Sequence, residues 1–242
     1  REAAWRDLLA PYYREHGIDA NSIAQGLGRM PFNTDVCDVV EPFAPPVVSF
    51  HFGLPNAELL ARVRGWGAKV LCSATTVEEG QWLQDQGVDA VIAQGLEAGG
   101  HRGHFLSDDL SRHMGTYALL PQLVRALKVP VIAAGGIADA NGVAAALAMG
   151  AVAAQVGTAY MLCPEATTSA LHRTALQSDA ARHTALTKLF TGRPARGIMN
   201  RVMRELGALN PQAPHFPLAT TAMTPLRARA EAATADNTRP AS

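Results

Sequence analysis

The chain lacks most of what marks a specialised surface. Its 21 Lys and Arg balance 21 Asp and Glu, for a formal net charge of +0. That balance excludes the basic footprint of a nucleic-acid binder. Aromatic residues make up only 6% of the chain, too few for a base-stacking platform. Cysteine occurs three times, at Cys37, Cys72 and Cys163, widely spaced and with no CxxC pair. The spacing reads as reduced thiols of a cytoplasmic protein, without a disulfide framework. No apolar run is long enough to span a membrane and no signal peptide is visible. No two histidines share metal-ligand spacing with a carboxylate, so no metal is expected. Ser49, Ser73 and Thr75 fall near strand ends, where they can touch a ligand. None has the G-x-S-x-G setting of a serine nucleophile.

What is present is a long, regular alternation. With 242 residues, 48% of them hydrophobic, the chain has the size of an α/β barrel and can bury a substantial core. Residues 1–46 read as a connecting segment, with an amphipathic helix from Arg1 to Gly17 and then a Gly/Pro/Asn-rich loop from Asp19 holding one short helix. From Val47 strands and helices alternate. Strands are expected at 47–53, 69–74, 89–93, 129–137, 151–158 and 188–192. Helices are expected at 56–66, 77–86, 117–126, 139–149 and 164–187. Apolar strands separated by helices imply a parallel sheet with right-handed crossovers. Residues 47–206 form this βα core, and 207–242 read as an irregular segment and tail.

The chemistry concentrates after the third strand, in Gln94-Gly95-Leu96-Glu97-Ala98-Gly99-Gly100-His101-Arg102-Gly103-His104. Ligands of α/β proteins bind at the C-terminal ends of strands. Glycine there lets backbone approach a ligand, and His101 can exchange a proton near neutral pH. A bare Gly-Gly-His also occurs in ordinary tight βα turns. Gly135-Gly136-Ile137 ahead of the Asp139 helix, with Gly157 and Thr158 one unit later, has the form of a barrel phosphate site. His51 falls near a strand end, with Phe50 and Phe52 pointing the opposite way. His104, His113, His172, His183 and His215 read as surface residues, and Glu97 as an organiser of its loop. Arg193 and Arg196 follow the last expected strand, placed either to attract a carboxylated substrate or simply in a solvated loop.

Several co-linear motifs resemble the nitronate monooxygenase family: Ser49-Phe50-His51-Phe52-Gly53-Leu54-Pro55, the Gln94–Gly103 run, Pro130-Val131-Ile132-Ala133-Ala134-Gly135-Gly136-Ile137, Gln155-Val156-Gly157-Thr158 and Phe190-Thr191-Gly192-Arg193-Pro194. The resemblance runs from about Arg1 to Arg229. It implies a (β/α)8 TIM barrel, with the first two βα units and the C-terminal segment missing from this chain. It also implies an FMN-dependent enzyme that oxidises alkyl nitronates, such as propionate 3-nitronate, with O2 to a carbonyl compound and nitrite. By the same resemblance His101 is catalytic and His51 lines the substrate pocket. Gln94, Gly99, Gly136, Gln155, Val156, Gly157 and Thr158 contact FMN. The partners are small molecules, with no nucleic acid or membrane among them. An FMN-dependent enoyl-acyl-carrier-protein reductase using NAD(P)H shares the fold. Gln94, where that reductase has Glu, and the Ser-Phe-His-Phe run favour nitronate chemistry. A flavin-free inactive fragment and a phosphate-binding barrel isomerase are the remaining alternatives.

Overall fold

Capping side chains mark the helix starts. In the computed structural model, which describes residues 1–23 and 30–237, Asn33, Asn56, Thr76, Asp139, Ser169 and Asn200 each accept a hydrogen bond from the backbone N–H three residues on. The elements in chain order are α1 (Glu2–Glu15), α2 (Thr34–Val40), β1 (Val47–Phe50), α3 (Ala57–Gly65), β2 (Lys69–Ala74), α4 (Val77–Asp85), β3 (Ala90–Gln94) and a two-residue β4 (Gly100–His101). They continue with α5 (Thr116–Ala126), β5 (Val131–Ala134), α6 (Ala140–Ala148), β6 (Ala153–Gln155), α7 (Ala170–Gln177), β7 (Thr184–Thr187), β8 (Ala195–Ile198), α8 (Arg201–Leu206) and α9 (Ala219–Asn237). They fall into two compact units, Pro31–Tyr160 and Arg1–Met30 with Met161–Ser242.

The unit Pro31–Tyr160 holds the βα repeats. Its sheet runs β1-β2-β3-β5-β6, and every pair is parallel. The long strands are neighbours in the order of the chain. A doubly wound sheet reverses its strand order at a switch point. Uninterrupted order with a helical return after each strand is the wall of a βα barrel, so the chain is an α/β protein of that type. β3 is buried at every position, as expected for a strand covered on both faces. Val70, Cys72, Val91, Ala93, Val131 and Ala133 from the sheet meet Leu83, Leu119, Leu120 and Leu123 from α4 and α5 in one core.

Among the described residues, the second unit is mainly helical with one hairpin. Trp5, Leu9 and Tyr13 of α1 cluster with Leu189, Met203 and Met223, and the Tyr13 hydroxyl donates to the Ala222 carbonyl at 2.7 Å. β7 and β8 pair antiparallel. Among the described residues no helix is long and apolar enough to cross a membrane.

Three expectations are corrected here. The strand expected at 188–192 is a turn, closed by the Gly192 N–H on the Lys188 carbonyl. Its apolar Leu189 is fully buried, and burial rather than strand pairing explains the hydrophobic run. The strand lies just before it, at β7, inside the stretch expected to be one helix from 164 to 187. Residues 207–242 are not irregular throughout. They contain the 19-residue α9, which an alanine-rich sequence favours and which Ala222, Met223 and Leu226 anchor by burial. Residues 24–29 of the expected loop and 238–242 of the tail lie outside the described residues.

Candidate active site

The strand ends of the βα unit open on a cavity of about 370 Å³ lined by Ser49, Phe50, His51, Ser73, Ile92, Gln94, Gly99, His101 and Gln155. These come from β1 and the residue after it, from β2, β3 and β6, and from the segment after β3 that includes β4. The volume falls in the usual range for small-molecule pockets, about 300–1,000 Å³.

His51 reaches the cavity because β1 stops at Phe50, short of the expected end at Gly53. The chain then turns through positive φ at Phe52 (71°) and Gly53 (84°). Phe52 therefore does not point away from His51. Its ring lies 4.5 Å from the His51 ring and edge-on to His101 at 5.8 Å. The Nε2 of His51 is 3.2 Å from the His101 carbonyl, and its Nδ1 is 3.0 Å from the Ser73 hydroxyl. A carbonyl only accepts, so Nε2 carries the hydrogen, and in the neutral ring Nδ1 is then the acceptor facing the Ser73 hydroxyl. Gly103 makes this approach possible. A Cβ there would sit 2.7 Å from the His51 ring and 3.0 Å from Ser73.

The loop carrying His101 is fastened by buried polar side chains. The Gln94 carboxamide donates to the His101 carbonyl at 2.9 Å and accepts from the Gly103 N–H at 2.7 Å. Arg102 is fully buried. It donates to the Gly95 carbonyl at 2.5 Å, the Gln94 carbonyl at 2.8 Å and His113 Nδ1 at 3.4 Å. The buried carboxylate of Glu79 accepts from the Phe105 and Leu106 N–H groups on one oxygen. Its other oxygen accepts from the Thr75 N–H and hydroxyl. His113 Nε2 lies 3.3 Å from the same hydroxyl. Arg102 has no acceptor to offer, so His113 Nδ1 carries the lone pair and Nε2 the hydrogen. Burial, and then the nearby Arg102 charge, hold the His113 pKa below its ordinary value. Glu97 orders its loop as expected, accepting from the Thr116 N–H and hydroxyl at 2.8 and 2.9 Å.

The structure brings His51, Gln94, Gly99, His101 and Gln155 to one cavity and leaves Gly136, Val156, Gly157 and Thr158 off its lining. Val156 packs on the core. Gly136 lies beside Glu97, where a Cβ would meet the Glu97 Cβ at 3.1 Å, and the Thr158 hydroxyl stands 3.0 Å from where Gly99 would carry one. Ser49 and Ser73 reach the cavity, while Thr75 is buried against Glu79. Arg196 donates to Thr184 across the β7–β8 hairpin. Two histidines expected at the surface, His104 and His113, are buried. Their rings lie 5.2 Å apart, and His104 Nε2 is 3.4 Å from the Asp108 carboxylate. Sequence reasoning also missed Arg102, Glu79 and His113 as supports. The three cysteines are free, and burial raises the Cys72 thiol to about 12.

A βα-barrel wall with a polar, two-histidine cavity at its C-terminal rim defines a small-molecule site of the barrel type. A family model described as nitronate monooxygenase matches residues 4–241, and the chain belongs to that family. A nitronate monooxygenase of Paraburkholderia phytofirmans is 41% identical over 96% of this chain and 64% of its own length. A solved structure of nitroalkane oxidase from Streptomyces ansochromogenes matches with a TM-score of 0.85 at 38% identity, over 96% of this chain and 66% of that one. FabK from Thermotoga maritima matches with a TM-score of 0.63 at 31% identity, over 75% and 55%. The chain thus spans slightly under two thirds of the length of the curated relative.

Proposed function

We propose that this chain carries the nitronate-oxidising site of a cytoplasmic, FMN-dependent enzyme. The site takes an alkyl nitronate, such as propionate 3-nitronate, and O2 to a carbonyl compound and nitrite. One observation supports this above the others: His101 and His51 converge with Gln94, Gly99 and Gln155 on a single cavity at the strand ends.

The residues present fit the flavin that the resemblance implies. Uncharged carboxamides and hydroxyls from Gln94, Gln155, Ser49 and Ser73 line the cavity, and such groups suit the edge of a flavin ring. Gly99 leaves open the side facing Thr158. Gln94, Gly99 and Gln155 would hold the ring. Gly136, Val156, Gly157 and Thr158 would hold the phosphate through backbone groups, within the βα core 47–206. The flavin, when bound, supplies the electron transfer.

The chain's own residues do the rest. A neutral His101 takes a proton from a neutral nitroalkane; a protonated one holds the nitronate anion. His51, with Nε2–H spent on the His101 carbonyl, shapes the pocket wall beside the substrate. Phe52, with its ring perpendicular to His101 at 5.8 Å, flanks that imidazole.

The test is the visible spectrum of the purified chain after incubation with FMN, followed by nitronate-dependent O2 uptake with nitrite as product. A flavin spectrum with nitrite release is the expected result. NADH oxidation by an enoyl thioester without nitronate turnover would replace this reading with the reductase one. A chain that takes up no flavin would overturn both.

A further inference from the structure

We propose that Arg102 is the positioning residue for His101, acting through a reciprocal clamp with Gln94. The proposal rests on the reading that His101 meets the substrate. The two side chains run in opposite directions between the same two backbone segments. The Gln94 carboxamide leaves β3 and binds the backbone of the loop, at the His101 carbonyl and the Gly103 N–H. The Arg102 guanidinium leaves the loop and binds the backbone of β3's end, at the Gln94 and Gly95 carbonyls. Each segment's side chain satisfies the other segment's main chain, and His101 sits at the first of the anchored positions.

The chemistry requires arginine. Only a planar fork spans two successive carbonyls with parallel N–H groups. A lysine ammonium is a point donor and holds one of them. Burying a cation is costly, and an apolar side chain would fill the same space without that cost. What the guanidinium adds is direction. It anchors residue 102 to the end of β3, while Gln94 and His51 hold the His101 carbonyl in the peptide that joins the two residues. With the peptide after His101 held at its carbonyl and the next residue anchored through its side chain, the Cα–Cβ bond of His101 is aimed from its C-terminal side. The third Arg102 contact, to His113 Nδ1, continues through Thr75 to Glu79. That carboxylate in turn pins the N–H groups of Phe105 and Leu106. Arg102 therefore ties the start of the loop to the anchor of its end.

The experiment has two readouts. In the flavin-free chain, amide hydrogen exchange at Gly103, whose N–H donates to Gln94, is expected to quicken in Arg102→Met by about tenfold, the size of one hydrogen bond. In the flavin-loaded chain, Arg102→Met is expected to lower kcat about 100-fold, the scale of a misaimed group, with KM changed far less. In a His101→Ala background the same substitution is expected to cost less than about threefold, because the two act as one unit. Unchanged Gly103 exchange in Arg102→Met, or an equal loss with and without His101, overturns the proposal.

Gln94→Glu keeps the side-chain size and serves if Arg102→Met does not fold. It retains an acceptor for Gly103 but loses the donor to His101, and activity is expected to recover at low pH, where the acid O–H donates again. No such recovery counts against the clamp. Full activity in His101→Ala sinks the functional reading instead, and the Gly103 exchange result then still decides whether the clamp exists.

Discussion

The loops after β3 and β5 end at the same rim but are built on different plans. After β3 the chain is held by side chains: Gln94, Glu97, Arg102 and Glu79 between them bond the backbone at Gln94, Gly95, His101, Gly103, Phe105, Leu106 and Thr116. After β5 the turn is made chiefly by torsion, with Gly135 at φ 114° and Gly136 at 69°, and one side chain, the Thr116 hydroxyl, reaches the Gly135 carbonyl at 2.8 Å. Gly135's bare Cα lets the Ala98 N–H come within 2.9 Å of where a Cβ would stand. A loop that aims an imidazole needs its peptide planes fixed one by one. A loop that presents backbone N–H groups needs only the right dihedrals.

If the first loop exists to aim His101, removing that ring should cost more than any other change. His101→Asn is expected to lower kcat/KM for nitronate about 10²–10⁴-fold while flavin content stays at the wild-type level, measured by O2 uptake against flavin absorbance. Retained turnover would mean that the fastening serves stability alone. Glu79→Gln attacks the fastening itself. The carboxylate accepts from four donors, and an amide nitrogen in place of one oxygen faces two of them. The expected loss of stability is about 2–3 kcal/mol, read from the urea midpoint, with the slope unchanged if the native state keeps its shape.

Much of the β5-type architecture is legible in the sequence, because it is written locally. Asn56, Thr76 and Asp139 have the residue type and position of helix caps, and each accepts from the N–H three residues on. The parallel strands are contiguous apolar runs, and the family motifs follow them in order. The β3-type architecture is much less legible. Nothing local says that Glu79, on a helix whose neighbours read as solvated, turns inward to hold a loop 26 residues away. His104 and His113 look like surface histidines, because what buries them is tertiary: His113 meets the Arg102 side chain and His104 packs on His113. Phe52 misled for a related reason. Alternation in a strand assumes that the strand continues, and β1 ends one residue before His51. Even Lys188–Gly192 shows the limit, since a buried turn and a buried strand carry the same apolar letters.

The second loop is broken by a methyl group. Gly135→Ala puts a Cβ in a left-handed conformation, 2.9 Å from the Ala98 nitrogen and 3.0 Å from the Thr116 hydroxyl. About 1–3 kcal/mol of strain is expected, as a lowered melting temperature. Because the clash is with the β3 loop, the loss should be non-additive with Glu79→Gln if the two loops support each other.

The smallest effect is a pH dependence confined to the side-chain-wired loop. His113 is held below its ordinary value of 6.5 by burial and by Arg102, with Glu79 and Asp109 pulling the other way and the His104 ring 5.2 Å away. A histidine with a depressed folded pKa takes up its proton more readily when the chain unfolds. Its contribution to stability is therefore complete above about 6.5 and is lost as pH falls below that value toward the folded pKa. Protonation would also place an N–H at Nδ1, facing the Arg102 Nε–H that now donates to it, so the loosening should begin at Arg102. Urea midpoints at about pH 8 and about pH 5.5 are expected to differ more in the wild type than in His113→Asn. The β5 turn, which has no titrating group among its glycines, should show no such difference in amide exchange at Gly135 and Gly136. An equal pH response at both loops would mean that the two plans are not separable after all.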